Sequence, residues 1–65
     1  MTRYPEITVR LTGNDGNAFA ILGAVTRELK RGRVASDEVD AFVEEATSGS
    51  YDDLLATVLR WVSVE

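Results

Sequence analysis

Gly13-Asn14-Asp15-Gly16-Asn17, followed at once by Ala18-Phe19-Ala20-Ile21-Leu22-Gly23-Ala24-Val25, is the stretch on which the fold turns. Glycine, asparagine and aspartate tolerate the left-handed and side-chain-bonded conformations of a turn, so the cluster ends whatever precedes it. Asn17 is then well placed to cap a helix. The first two turns of that helix carry no charge. Upstream, Ile7, Val9 and Leu11 alternate with Thr8, Arg10 and Thr12, the period of two of a strand with one wet face. Pro5 stands just ahead, where a missing N–H does least harm.

Downstream, the spacing predicts a first helix from Ala18 to Arg31. Ala18, Ile21, Leu22, Val25 and Leu29 share one stripe, while Ala20, Gly23 and Ala24 lie mostly opposite. Small residues there would admit a second packed element, so this helix is expected to be central and shielded on two sides. Gly32 suits a left-handed position after its end, and Arg27, Lys30 and Arg31 complement its dipole. Ser36, with Asp37 and Glu38 behind it, starts a second helix whose apolar positions are Val39, Phe42, Val43 and Ala46. That helix should end near Ser48 and Gly49. Ser50 and Asp53 have capping-box spacing for a third helix, with Leu54, Leu55, Val58, Leu59 and Val62 on one face. Trp61-Val62-Ser63-Val64 is expected to leave the helix as a short extended tail.

The expected fold is therefore a small α+β domain over residues 1–65, β-α-α-α with a possible short C-terminal strand and a flexible lead-in at 1–5. A lone strand leaves a row of unpaired backbone groups. Two partners can satisfy it: the returning tail, running parallel to it, or a second copy of the N-terminal strand in a homodimer.

Composition narrows the chemistry. The 65 residues include no cysteine and no histidine, which removes disulfides, thiolate ligands, the commonest general base and the commonest nitrogen ligand. An apolar share of 45% is that of a globular chain. A domain of this size buries only about 60% of the surface its unfolded chain exposes, so stability is marginal without staples. The formal charge of −4 opposes attraction to nucleic acid or anionic lipid. The uncharged run 17–26 is roughly half of the ~20 residues a membrane span needs. The first six residues have no signal-peptide pattern. A cytoplasmic protein away from membranes is the expectation.

Glu45-Ala46-Thr47-Ser48-Gly49, Tyr51-Asp52, Leu54-Leu55, Thr57 and Trp61-Val62, read with the Gly13–Gly23 motif, give the chain a recognisable cast. Over about residues 6–64 it resembles a group of small uncharacterised proteins of bacteriophages and bacteria, actinobacterial ones included. The resemblance implies a prokaryotic or phage origin, a stand-alone short chain and a cytosolic setting. It implies no activity and carries over no catalytic residue.

The individual motifs lean towards structure. A Walker loop needs Gly-Lys-Ser or Gly-Lys-Thr entering the helix, and here Asn17-Ala18-Phe19 enters; a dinucleotide fingerprint is missing as well. Aligning Gly16 with the glycine of a calcium loop puts Leu11 and Leu22 where carboxylates are required. Asp37, Glu38, Asp40, Glu44 and Glu45 read as a solvated helix face. Arg27, Lys30, Arg31 and Arg33 gather four of the seven cations at one helix end. They read first as dipole complement paired with the acidic second helix, then as a contact for an acidic protein or for phosphates. Nucleic acid is disfavoured because the helix that would enter a groove opens on Tyr51-Asp52-Asp53.

No catalytic, metal-binding or cofactor-binding residue is expected, and no cofactor. The leading functional expectation is a non-enzymatic protein-interaction or regulatory module, with Arg27, Lys30, Arg31, Arg33, Tyr51 and Trp61 as candidate contact residues. Trp61 reads as core edge ahead of interface anchor. The alternative is a nucleic-acid-binding accessory protein using the basic patch.

Overall fold

The computed structural model describes residues 2–11 and 17–65. The turn expected at 13–16, with Asp15 in it, lies outside the described residues. The order is β1 (Tyr4–Val9), α1 (Ala18–Arg31), α2 (Ser36–Ala46), α3 (Tyr51–Trp61) and β2 (Val62–Val64). It is the α+β arrangement expected, and β2 pairs parallel to β1 in a two-stranded sheet. The intramolecular partner therefore pairs one edge of β1, and a strand-mediated homodimer would have to use the other edge.

β1 starts earlier than the alternation suggested because the partner, not the pattern, decides where pairing begins. Tyr4 sits opposite Val62 and Thr8 opposite Ser63, so β1 advances four residues while β2 advances one. Pro5, Glu6 and Ile7 form the resulting bulge. Proline has no N–H to lose there, and the Ser63 hydroxyl donates to the Pro5 carbonyl at 2.8 Å. Beyond Val9 the ladder continues: the Glu65 amide donates to the Val9 carbonyl and the Leu11 amide to the Glu65 carbonyl. Residues 2–3 close the end of α3, with the Thr2 hydroxyl on the Leu59 carbonyl at 3.0 Å and the Arg3 amide on the Arg60 carbonyl at 2.8 Å.

Asn17 caps α1 as expected, its side chain accepting from the Ala20 amide at 2.8 Å. Ile21, Val25 and Leu29 are buried at a spacing of four. The other flank departs from expectation. Gly23 is exposed, a Cβ added to it would meet nothing within 4 Å, and Phe19 is 87% exposed. Among the described residues the open positions here are Phe19 and Gly23, while Ala24 packs against the core. They stay open because β1, α2 and α3 gather on the Ile21–Val25–Leu29 side.

The exit from α1 also corrects the sequence reading. Arg33, not Gly32, takes the positive φ of 64°. The Val34 amide donates to the Leu29 carbonyl and the Arg33 amide to the Lys30 carbonyl, the double bond pattern of a Schellman turn. Gly32 serves another purpose. A Cβ there would stand 2.8 Å from Ile7 Cδ1, so the glycine lets the side chain from the β1 bulge close over the helix end.

At α2 the cap is Ala35 with no side-chain bond, and Ser36 is the first helical residue. Asp37 and Glu38 in the first turn supply the favourable charge instead. The Ser50–Asp53 capping box on α3 is present in full. On α3 the buried residues are Leu54, Thr57, Val58 and Trp61, while Leu59 is 59% exposed. The inward face is rotated towards Trp61 because α2 places Phe42 there, the two rings meeting edge-on at 5.6 Å and 72°. Val9, Val25, Leu29, Phe42, Val58 and Val62 complete the most deeply buried apolar set.

Candidate functional site

Trp61 organises the densest group of polar side chains. Its indole N–H donates to Glu45 Oε2 at 3.3 Å, and the Arg3 guanidinium lies 4.2 Å above its ring. Arg3 also pairs with Glu38 Oε1 at 3.1 Å, which accepts from the Tyr4 hydroxyl at 3.2 Å. Arg60 Nη2 reaches Glu45 Oε2 at 2.9 Å and the Thr57 hydroxyl at 3.0 Å. The Thr57 hydroxyl in turn donates to the Asp53 carbonyl at 2.8 Å. β1, α2 and α3 are thus laced around one indole.

The electrostatics are those of a clamp. The hydrogen bond from Arg60 holds the Glu45 carboxyl below the usual carboxylate range against some burial, with the Trp61 N–H helping. Burial, then the hydrogen bond to Glu38, pushes the Tyr4 hydroxyl above the ordinary phenol range. A catalytic acid needs the opposite treatment, a carboxyl raised towards neutrality. Glu38 and Glu45 are instead each taken up by an arginine. Among the described residues no group of three or more carboxylates is placed to hold a metal ion.

A lowered acid pKa contributes stability above the ordinary carboxylate range, and that contribution is lost as pH falls through the lowered value. Glu45→Gln should therefore be less stable than wild type at neutral pH. The gap should close as pH falls from the ordinary carboxylate range through the lowered value. Urea midpoints measured across that range check this; a constant gap would mean that ionisation of Glu45 is irrelevant.

Trp61 itself is 3% exposed, so the expected contact role for it is withdrawn in favour of the core. Tyr51 is 44% exposed at the start of α3. Arg27, Lys30, Arg31 and Arg33 are all exposed around the end of α1. Among the described residues they form no ion pair. The expected pairing with α2 does not occur, because Glu38 and Glu45 face Arg3 and Arg60. Asp37, Asp40 and Glu44 are exposed, as a solvated face requires.

Concave surfaces lie between these elements among the described residues. One, of about 360 Å3, runs between α1 and β1 along Val9, Arg10, Phe19, Gly23, Ala24 and Arg27. A second, of about 530 Å3, separates α1 from α2. A third, of about 240 Å3, is wholly apolar and lies between α3 and the strand ends at Leu11, Leu55, Leu59 and Val64. Phe19 is adjacent to the first of these surfaces and is 87% exposed, a position that the stripe of Ala18, Ile21, Leu22, Val25 and Leu29 leaves out. The signal is a row: 19, 23 and 27 recur at a spacing of four, away from Ile21 and Val25. Among the described residues no helix is long and apolar enough to cross a membrane. The chain matches no family model, no curated protein and no solved structure.

Proposed function

We propose that this chain is a small non-enzymatic protein-interaction or regulatory module, of phage or bacterial origin and acting in the cytoplasm. It engages a protein partner through the outer face of α1. The observation that carries the reading is Phe19, 87% exposed beside an unobstructed Gly23. A phenyl ring held in water on a rigid helix is a ready anchor for an apolar seat on a partner, and the bare glycine permits close approach. Arg27 and Arg31 extend the same face with positive charge, which favours a partner with carboxylates at its rim. The nucleic-acid alternative uses the same cations but meets Asp52 and Asp53 at the start of α3.

The test compares capture from bacterial lysate by wild type and by Phe19→Ser. Since Phe19 contributes little to the core, the variant should keep its stability within about 0.5 kcal/mol. It should lose the captured protein. A wild type that retains nothing specific, or a variant that retains the same protein equally well, would overturn the reading.

A further inference from the structure

The groove between α1 and α2 has an apolar floor of half-buried Val34 and Val43 over buried Val39. Its α1 rim carries Lys30 and its α2 rim carries Asp40. Both are exposed, and among the described residues neither makes an ion pair. The remaining polar lining is quiet: the Thr26 hydroxyl already donates to the Leu22 carbonyl at 2.6 Å, and Ser36 lies in the first turn of α2. Negative charge continues along the α2 side through Asp37 and Glu44, and Arg33 adds positive charge just past the end of α1.

A surface with an apolar centre, one positive rim and one negative rim is complementary to itself after a half-turn. We propose that this groove is the interface of a two-fold homodimer. A two-fold axis lying in the contact plane and running along the groove sets Lys30 of each copy against Asp40 of the other, twice, with Val34 and Val43 of both copies between them. The contact is isologous and closes at two subunits, so it does not propagate into fibres. A heterologous ligand would have to bring the same alternation of signs by coincidence; a second copy brings it by symmetry. This interface lies on the opposite flank of α1 from Ala20 and Ala24 and is independent of the Phe19 reading.

The two valines offer little apolar area, which places the dimer in the weak class. Sedimentation equilibrium from about 10 µM to about 1 mM covers that class. Wild type should approach twice the chain mass of 7.1 kDa at the upper end. Lys30→Glu faces acid with acid and Asp40→Lys faces cation with cation, so each alone should weaken dimerisation by about tenfold or more. Mixing the two variants in equal amounts restores both opposite-charge pairs and should restore the dimer, as should the double variant. Restoration also shows that neither single variant is merely misfolded.

Wild type that stays monomeric at the highest concentration overturns the proposal. So do single variants that dimerise like wild type, or a mixture that remains monomeric. Phe19-dependent capture by a monomeric wild type would sink this interface alone and leave the proposed function standing.

Discussion

Trp61→Ala should leave the protein largely unfolded at 37 °C. Large-to-small replacement of a buried tryptophan costs about 3–5 kcal/mol through lost transfer energy and the cavity left behind. A domain of this length has a total stability of only about 3–10 kcal/mol. The indole is the common neighbour of Phe42, Tyr4 and Arg3, and its N–H is the donor to Glu45. Removing it therefore opens a cavity against Phe42, strips the cation above it of its ring and weakens the hold on Glu45. Urea unfolding followed by circular dichroism at 5 °C and 37 °C would register the change. A cooperative transition retained with less than about 1 kcal/mol lost would mean that α2 and α3 pack without the indole as their keystone.

The second large effect concerns β2. A chain ended after Trp61 should lose about 4 kcal/mol or more and show the poorly dispersed amide spectrum of a collapsed state. Val62 is 1% exposed and faces the same core as Val9, also 1% exposed. The lost hydrogen bonds include those joining Glu65 with Val9 and Leu11, and the Ser63 hydroxyl leaves the Pro5 carbonyl in the bulge unpartnered. β1 would revert to a lone strand. If the shortened chain kept native dispersion and a midpoint close to that of the full chain, the parallel pair would be an ornament on a helical bundle.

The helices were written plainly in the chain. α1 begins and ends at the residues its cap and periodicity indicate, and the Ser50–Asp53 box on α3 needs no tertiary context to be read. Even the parallel return of the tail follows from counting three helices between two extended segments. Facing was harder. Gly23 suits close packing equally well against another helix or against nothing, since a small side chain reports permission and not occupancy; its neighbour Ala24 packs and Gly23 does not. Leu59 and Trp61 are two residues apart on α3, and which turns inward depends on where Phe42 arrives from α2. Gly32 shows the same limit: a glycine after a helix suggests a left-handed residue, but the approach of Ile7 claimed it and left the strained conformation to Arg33. The contact surface was half legible. The cations at the end of α1 were found by clustering, whereas the exposure of Phe19 depends on which side the other elements chose.

The parallel pairing of β1 with β2 also governs how this protein is made. Tyr4 cannot meet Val62 until all three helices have been synthesised, so β1 waits longer for its mate than any helix waits for its neighbour in sequence. During that wait its hydrogen-bonding edges and Val9 are bare, and the nascent chain depends on chaperones or on speed to avoid clumping. The sheet must then close late, only once α3 and Val62–Val64 have been made, with the α2–α3 hairpin able to form before it.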